Sequence, residues 1–221
     1  MSGRTRFAPA LAALALTAAL APVALAVPPT RDELATWCAN AEDIAHCGRL
    51  VEQEQMKRLP GLAKRAGVDL TIALFPGGTA TFTDIERLAD PVSYSLFDSI
   101  DSITSVLLFK TVGEKSSFVL LQRAGNRATE LPSEPALAPD RQRLATADFC
   151  ASGCTNELVV WRVTREGVVR ELVWRATESW ADATPRWKDA ETVVVEYSTA
   201  DDGMPRTLER RLSQAGWLAP R

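Results

Sequence analysis

Few residues in this chain are of a type and spacing that could carry out chemistry. His46 is the only histidine and sits beside Cys47 on the helical segment, and a solitary histidine can serve as a base. It lies within apolar helical spacing and reads as an ordinary helix residue. The nucleophile patterns Gly-x-Ser-x-Gly, Ser-x-x-Lys and His-Glu-x-x-His are absent. Gly113-Glu114-Lys115-Ser116 lacks the first glycine of a phosphate loop and falls in a hairpin turn. Carboxylates remain: Asp98 with Asp101, Glu166 with Glu171, and Asp201 with Asp202 are close along the chain. A glycosidase-type reaction needs two carboxylates held roughly 5 to 10 Å apart across a cleft. Turn and edge positions in water account for all three pairs, so no catalytic residue, metal ligand or cofactor is assigned.

Aromatic and guanidinium side chains offer a binding chemistry instead. Trp161, Trp174, Trp180 and Trp187 crowd together, with Arg162, Arg170, Arg175 and Arg186 among them. Such residues make interface hot spots, and Trp faces stack on sugars and cations. Trp161 and Trp187 are assigned to the core. Trp180 lies in the polar run Glu178-Ser179-Trp180-Ala181-Asp182 and is expected at the surface as an anchor, with Arg175 and Arg186 as candidate binding partners to it.

The elements that must position these groups begin with an export signal. Arg4 and Arg6 precede an Ala/Leu run from Ala8 to Leu20, and Ala24-Leu25-Ala26 ends it, so residues 1–26 read as a signal peptide rather than a membrane anchor. Its removal takes away two arginines and no acid, moving the net charge from −3 to −5. An acidic exported chain has no electrostatic reason to seek nucleic acid or anionic lipid, and no stable membrane insertion is expected after cleavage. The compartment expected is periplasmic or extracellular.

Four cysteines in an oxidising compartment suggest two disulfides. On one straight helix Cys38 and Cys47 would stand on opposite faces, roughly 13 Å apart, beyond the roughly 4 to 7 Å a bridge needs. A helix over Arg31–Ala39, opened by a Thr30/Glu33 capping box, and a second over Ala41–Arg58, capped at Asn40, would let the two bond. Residues 27–60 are thus expected to form a stapled helical segment. Cys150 and Cys154 flank Ala151-Ser152-Gly153, where a local bridge is preferred over a redox pair or a zinc site.

From residue 61 to 221 the period changes to that of strands. Val68–Leu74 with Thr79–Thr83, Ser105–Val112 with Ser117–Gln122, and Glu157–Val163 with Val168–Arg175 each read as a hairpin. Residues 90–102 hold Pro91 and several Ser and Asp, and are expected as a loop or irregular edge. Short strands are expected near Thr129–Leu131, Thr192–Tyr197 and Arg206–Leu212. The fold class is therefore mainly β, an antiparallel meander of hairpins behind an N-terminal helical segment.

One phrase recurs: Pro135, Leu137, Asp140 and Leu144 match Pro185, Trp187, Asp189 and Val193 at a spacing of 50 residues with one gap. The runs 137–144 and 156–163 resemble the turn-and-strand phrasing of TolB-like and WD40-like propeller blades, over Leu131 to Tyr197. That resemblance implies a binding scaffold and supplies no catalytic residue. Two or three units are legible, fewer than the about four that a closed ring needs, which leaves an incomplete propeller or a small sandwich. The function expected is that of an exported, non-enzymatic interaction protein of the cell envelope with a protein or glycan partner. Alternatives are an inhibitor or immunity protein against a secreted toxin or cell-wall enzyme, and a carboxylate-dependent envelope hydrolase.

Overall fold

Among the described residues two short helices lead and a run of strands follows. The computed structural model describes residues 28–86 and 89–220, so the signal peptide expected at residues 1–26 lies outside them. Helix α1 (Arg31–Trp37) opens on the expected capping box: the Thr30 hydroxyl accepts the Glu33 N–H, and the Glu33 carboxylate accepts the Thr30 N–H. Helix α2 (Ile44–Arg58) is capped by Asp43, whose Oδ1 accepts the His46 N–H at 2.7 Å, and not by Asn40. The later start has a clear cause. Cys38 caps the end of α1 and Cys47 lies in the first turn of α2, which brings their Cα atoms within 4.9 Å.

That bridge and the second one, Cys150–Cys154, account for all four cysteines. Both fit an oxidising compartment. No described helix is long and apolar enough to cross a membrane.

The strands form four antiparallel meanders, each from consecutive segments. The first sheet holds β1 (Ala63–Ala66), β2 (Asp69–Ala73) and β3 (Thr79–Thr83). The second holds β4 (Val92–Ile100), β5 (Ser105–Val112), β6 (Lys115–Gln122) and β7 (Arg127–Leu131). The third holds β8 (Ala136–Leu137), β9 (Arg143–Asp148), β10 (Glu157–Thr164) and β11 (Gly167–Arg175). The fourth holds β12 (Trp180–Trp187), β13 (Thr192–Thr199) and β14 (Pro205–Arg211). The three expected hairpins are β2–β3, β5–β6 and β10–β11. Residues 90–102 are a correction: β4 occupies most of them.

The sheets stack, and period-2 alternation divides their side chains among three apolar layers. Leu96, Val106, Leu108, Val119 and Leu121 of the second sheet meet Leu70, Ile72 and Ala80 of the first. Phe97, Leu107, Phe118 and Leu120 point the other way, onto Leu144, Val159, Trp161 and Val173 of the third sheet. Leu158 and Val160 then meet Trp180, Val193 and Val195 of the fourth. The two inner sheets are thus apolar on both faces, which is why β10 reads as an unbroken run. No described cluster joins the first sheet to the fourth, and the stack does not close into a barrel.

The recurring phrase is one hairpin built twice. Leu137 pairs with Leu144 across β8–β9, and Trp187 with Val193 across β12–β13. In the first turn Asp140 accepts the Gln142 N–H; in the second Asp189 accepts the Glu191 N–H.

The opening strand of each sheet faces the helices or the segment around them. Strand β4 is an edge, with backbone groups that would otherwise lack partners. Glu52 of α2 accepts the Leu96 N–H at 3.0 Å, Asp84 accepts the Tyr94 N–H at 2.9 Å, and the Tyr94 carbonyl accepts from Arg49 and Arg65. Arg65, on β1, also grips Glu52 with two hydrogen bonds. Burial pushes the Glu52 carboxyl up to about 7, against the Leu96 N–H and Arg49, which pull it down. Leu34 and Trp37 share a core with Leu137 of β8, and Arg31 donates to Thr184 of β12. At Gly48 a Cβ would stand 3.0 Å from Phe109 and from the Ser95 hydroxyl, so α2 lies close on β4 and β5.

Candidate functional site

Trp180, expected as a surface anchor, is 2 % exposed. It heads β12 instead of sitting in a loop, and a register shift at Ala181 turns it inward. There it stacks on Tyr197 with ring centroids 3.8 Å apart and packs on Phe149 and Trp174. Trp161 is a core residue as expected, and Trp187, half-buried, packs against the core of the third and fourth sheets; their indole N–H groups donate to the Thr146 hydroxyl and the Ala136 carbonyl.

Arg175 and Arg170 both hold the buried Glu157 carboxylate. Arg186 pairs with Glu196 on the outer face of the fourth sheet, where both side chains are more than half exposed and the pair adds little. Arg186 alternates away from Trp180, Ala183 and Trp187, which face the core. The three expected binding residues therefore form no common site.

In two of the carboxylate pairs one member is taken up by partners within the chain. Glu171 is held by Arg143 and Arg162, and Asp202 by Arg206 and Thr199. His46 accepts the Glu42 N–H at its Nδ1 and serves the start of α2. Asp98 is different.

Asp98 owes its position to a bulge. Leu96 pairs with Leu108 and faces the first sheet, so strict alternation would send Asp98 to that side too. The register shift between them gives β4 an extra residue, Phe97, and places Asp98 opposite Leu107, on the face that meets the third sheet. There Asp98 lines a pocket of about 480 Å³ together with Pro28, Ile100, Asp101, Leu107, Glu134 and Leu137. Three elements supply its acids: β4, the 3-10 turn Asp101–Ile103, and the β7–β8 connection.

Electrostatics mark this pocket out. Asp98 is 7 % exposed and its Oδ1 has no hydrogen-bond partner. Burial first, and then the nearby Asp101, push its carboxyl up to about 6, although the Ser99 N–H pulls it down. Glu134 stands exposed at the rim, yet the protein around it and then Asp98 raise its carboxyl, with Arg31 opposing. Asp101 accepts the Ser99 hydroxyl. The apolar part of the lining is Ile100, Leu107, Pro135 and Leu137, interleaved with the acids along the same segments. The arrangement can hold a positive charge, or keep a proton on a carboxyl near neutral pH. Among the described residues no group of three His, Cys, Asp or Glu is placed to hold a metal ion.

Sequence reasoning had paired Asp98 with Asp101 but missed Glu134 and the pocket. The signal available was the run Phe97-Asp98-Ser99, a charge where apolar alternation should continue. No family model matches the chain, and no curated protein or solved structure matches it significantly.

Proposed function

We propose that the chain is an exported, non-enzymatic binding protein of the cell envelope, and that it takes part of its ligand or partner into the Asp98 pocket. One observation carries this: a bulge turns Asp98 toward the third sheet, where it lines a pocket between two sheets with one of its carboxylate oxygens buried and without a partner. Leaving such a group unsatisfied is costly, and an occupant that brings a donor and a positive charge would offset that cost. Two disulfides support a periplasmic or extracellular site of action.

The test is capture from envelope extract with the processed, oxidised protein, beside its Asp98→Asn variant. A partner held by the first and lost by the second supports the reading, and a partner that is itself a secreted enzyme or toxin would make the protein an inhibitor. Equal capture by both would refute it. A hydrolase is the second reading, favoured by two carboxyls held toward their protonated forms in one pocket. Release of reducing sugar from envelope glycans, abolished by Asp98→Asn, would establish it.

A further inference from the structure

Taking the Asp98 pocket as a binding site, we propose that its occupant is a primary ammonium group carried on a short apolar chain. The pocket has two kinds of lining residue, acidic and apolar. Asp98, Asp101 and Glu134 line it from three separate elements, and the apolar Ile100, Leu107, Pro135 and Leu137 stand among them. An anionic ligand would meet three carboxyls and is excluded. A neutral alcohol brings a single donor and no charge, and would leave the acids repelling one another.

An ammonium brings three donors and a positive charge, and its short stem covers the apolar lining. Its size fits as well: the volume suits a small molecule or one projecting side chain, not a folded surface. The nearest cation of the chain itself does not already fill this role. Arg31 is committed to the Thr184 hydroxyl at 3.1 Å and leaves the buried Asp98 oxygen without a partner.

The charged groups facing the site are Asp98 of β4, Asp101 of the 3-10 turn, Glu134 of the β7–β8 connection and Arg31 of α1. As pH falls from 7.5 to 5 the raised Asp98 carboxyl gains its proton, and the pocket loses that negative charge. Ammonium binding must weaken in that direction.

The experiment titrates n-butylammonium chloride into the processed, oxidised protein and follows the Ser99, Asp101 and Leu107 amide resonances; n-butanol, butyrate and butylguanidinium are titrated in parallel. Saturable binding of butylammonium is expected, at least about tenfold tighter than that of the alcohol or the guanidinium and about tenfold weaker at pH 5 than at pH 7.5. Asp98→Asn should weaken it about tenfold or more. Glu134→Gln, a substitution at the exposed rim that leaves the core untouched, should weaken it several-fold and keeps the test decisive if the first variant folds poorly.

Equal affinity for butanol, butyrate or butylguanidinium, no saturation by butylammonium, or unchanged binding in both variants would overturn the inference. The two levels of the proposal fail differently. A captured partner that is lost in Asp98→Asn but not displaced by butylammonium overturns the ammonium assignment and leaves the binding site standing. Capture that survives Asp98→Asn overturns the site itself.

Discussion

Replacing Asp98 with Asn should make the protein more stable near neutral pH, although it removes the group on which binding is proposed to depend. The raised carboxyl means that burial disfavours the charged form. A rise from 3.8 to about 6 corresponds, at ~1.4 kcal/mol per unit, to ~3 kcal/mol. The sign follows from proton linkage. Between those two values the folded state holds the proton more tightly than the unfolded chain, so the stability that Asp98 confers is fully present below about pH 4 and is lost as pH rises through about 6. Asparagine has the same shape, carries no charge, and offers two donors of its own. Urea unfolding of the oxidised protein and its Asp98→Asn variant from pH 4 to 7.5 measures the effect. Acids remote from Asp98, Glu52 among them, titrate alike in both proteins and cancel in the difference; Glu134, which Asp98 raises, loses part of its shift in the variant and adds to the difference with the same sign. The variant should gain ~1–3 kcal/mol relative to the parent on going from pH 4 to 7.5. A difference that does not change with pH would refute the reasoning, because the pocket would then impose no penalty on the charge.

Trp180→Ala should cost ~3–5 kcal/mol, since it opens a cavity among Phe149, Trp174 and Tyr197; an unchanged melting curve would return this side chain to the surface. Arg65→Ala leaves Glu52 and the Tyr94 carbonyl short of donors and should destabilise by ~3–5 kcal/mol. A loss under 1 kcal/mol in denaturant unfolding would mean the network is not closed to water. Native protein kept free of reductant should show no reactive thiol, and two or more titrating with a thiol reagent would count against the pair of bridges.

The hairpins were legible because their alternation is regular and their turns hold Gly or Pro; strands β4 and β12 were not. Strand β4 reads as a loop because Pro91, Ser93, Ser95 and Ser99 look like turn residues. Side chains from other segments, Glu52, Asp84, Arg49 and Arg65, satisfy its backbone, and nothing local announces them. In β12 a register shift breaks the alternation at Trp180, and Pro185 is tolerated because the strand is an edge. The same cause hid the pocket. Which face Asp98 takes depends on one extra residue in β4, and its neighbour Glu134 arrives from a connection 36 positions later. Bulges leave almost no trace in composition.

The helical segment has a consequence in time. It is the first part of the described chain to be made, yet the contacts that hold it arrive late: Glu52 waits for Leu96, 44 residues on, and Arg31 waits for Thr184, 153 residues on. Helices of 7 and 15 residues are marginal by themselves in water. The bond between Cys38 and Cys47 closes within the segment and needs nothing downstream. A covalent corner between α1 and α2 is thus available before any sheet exists.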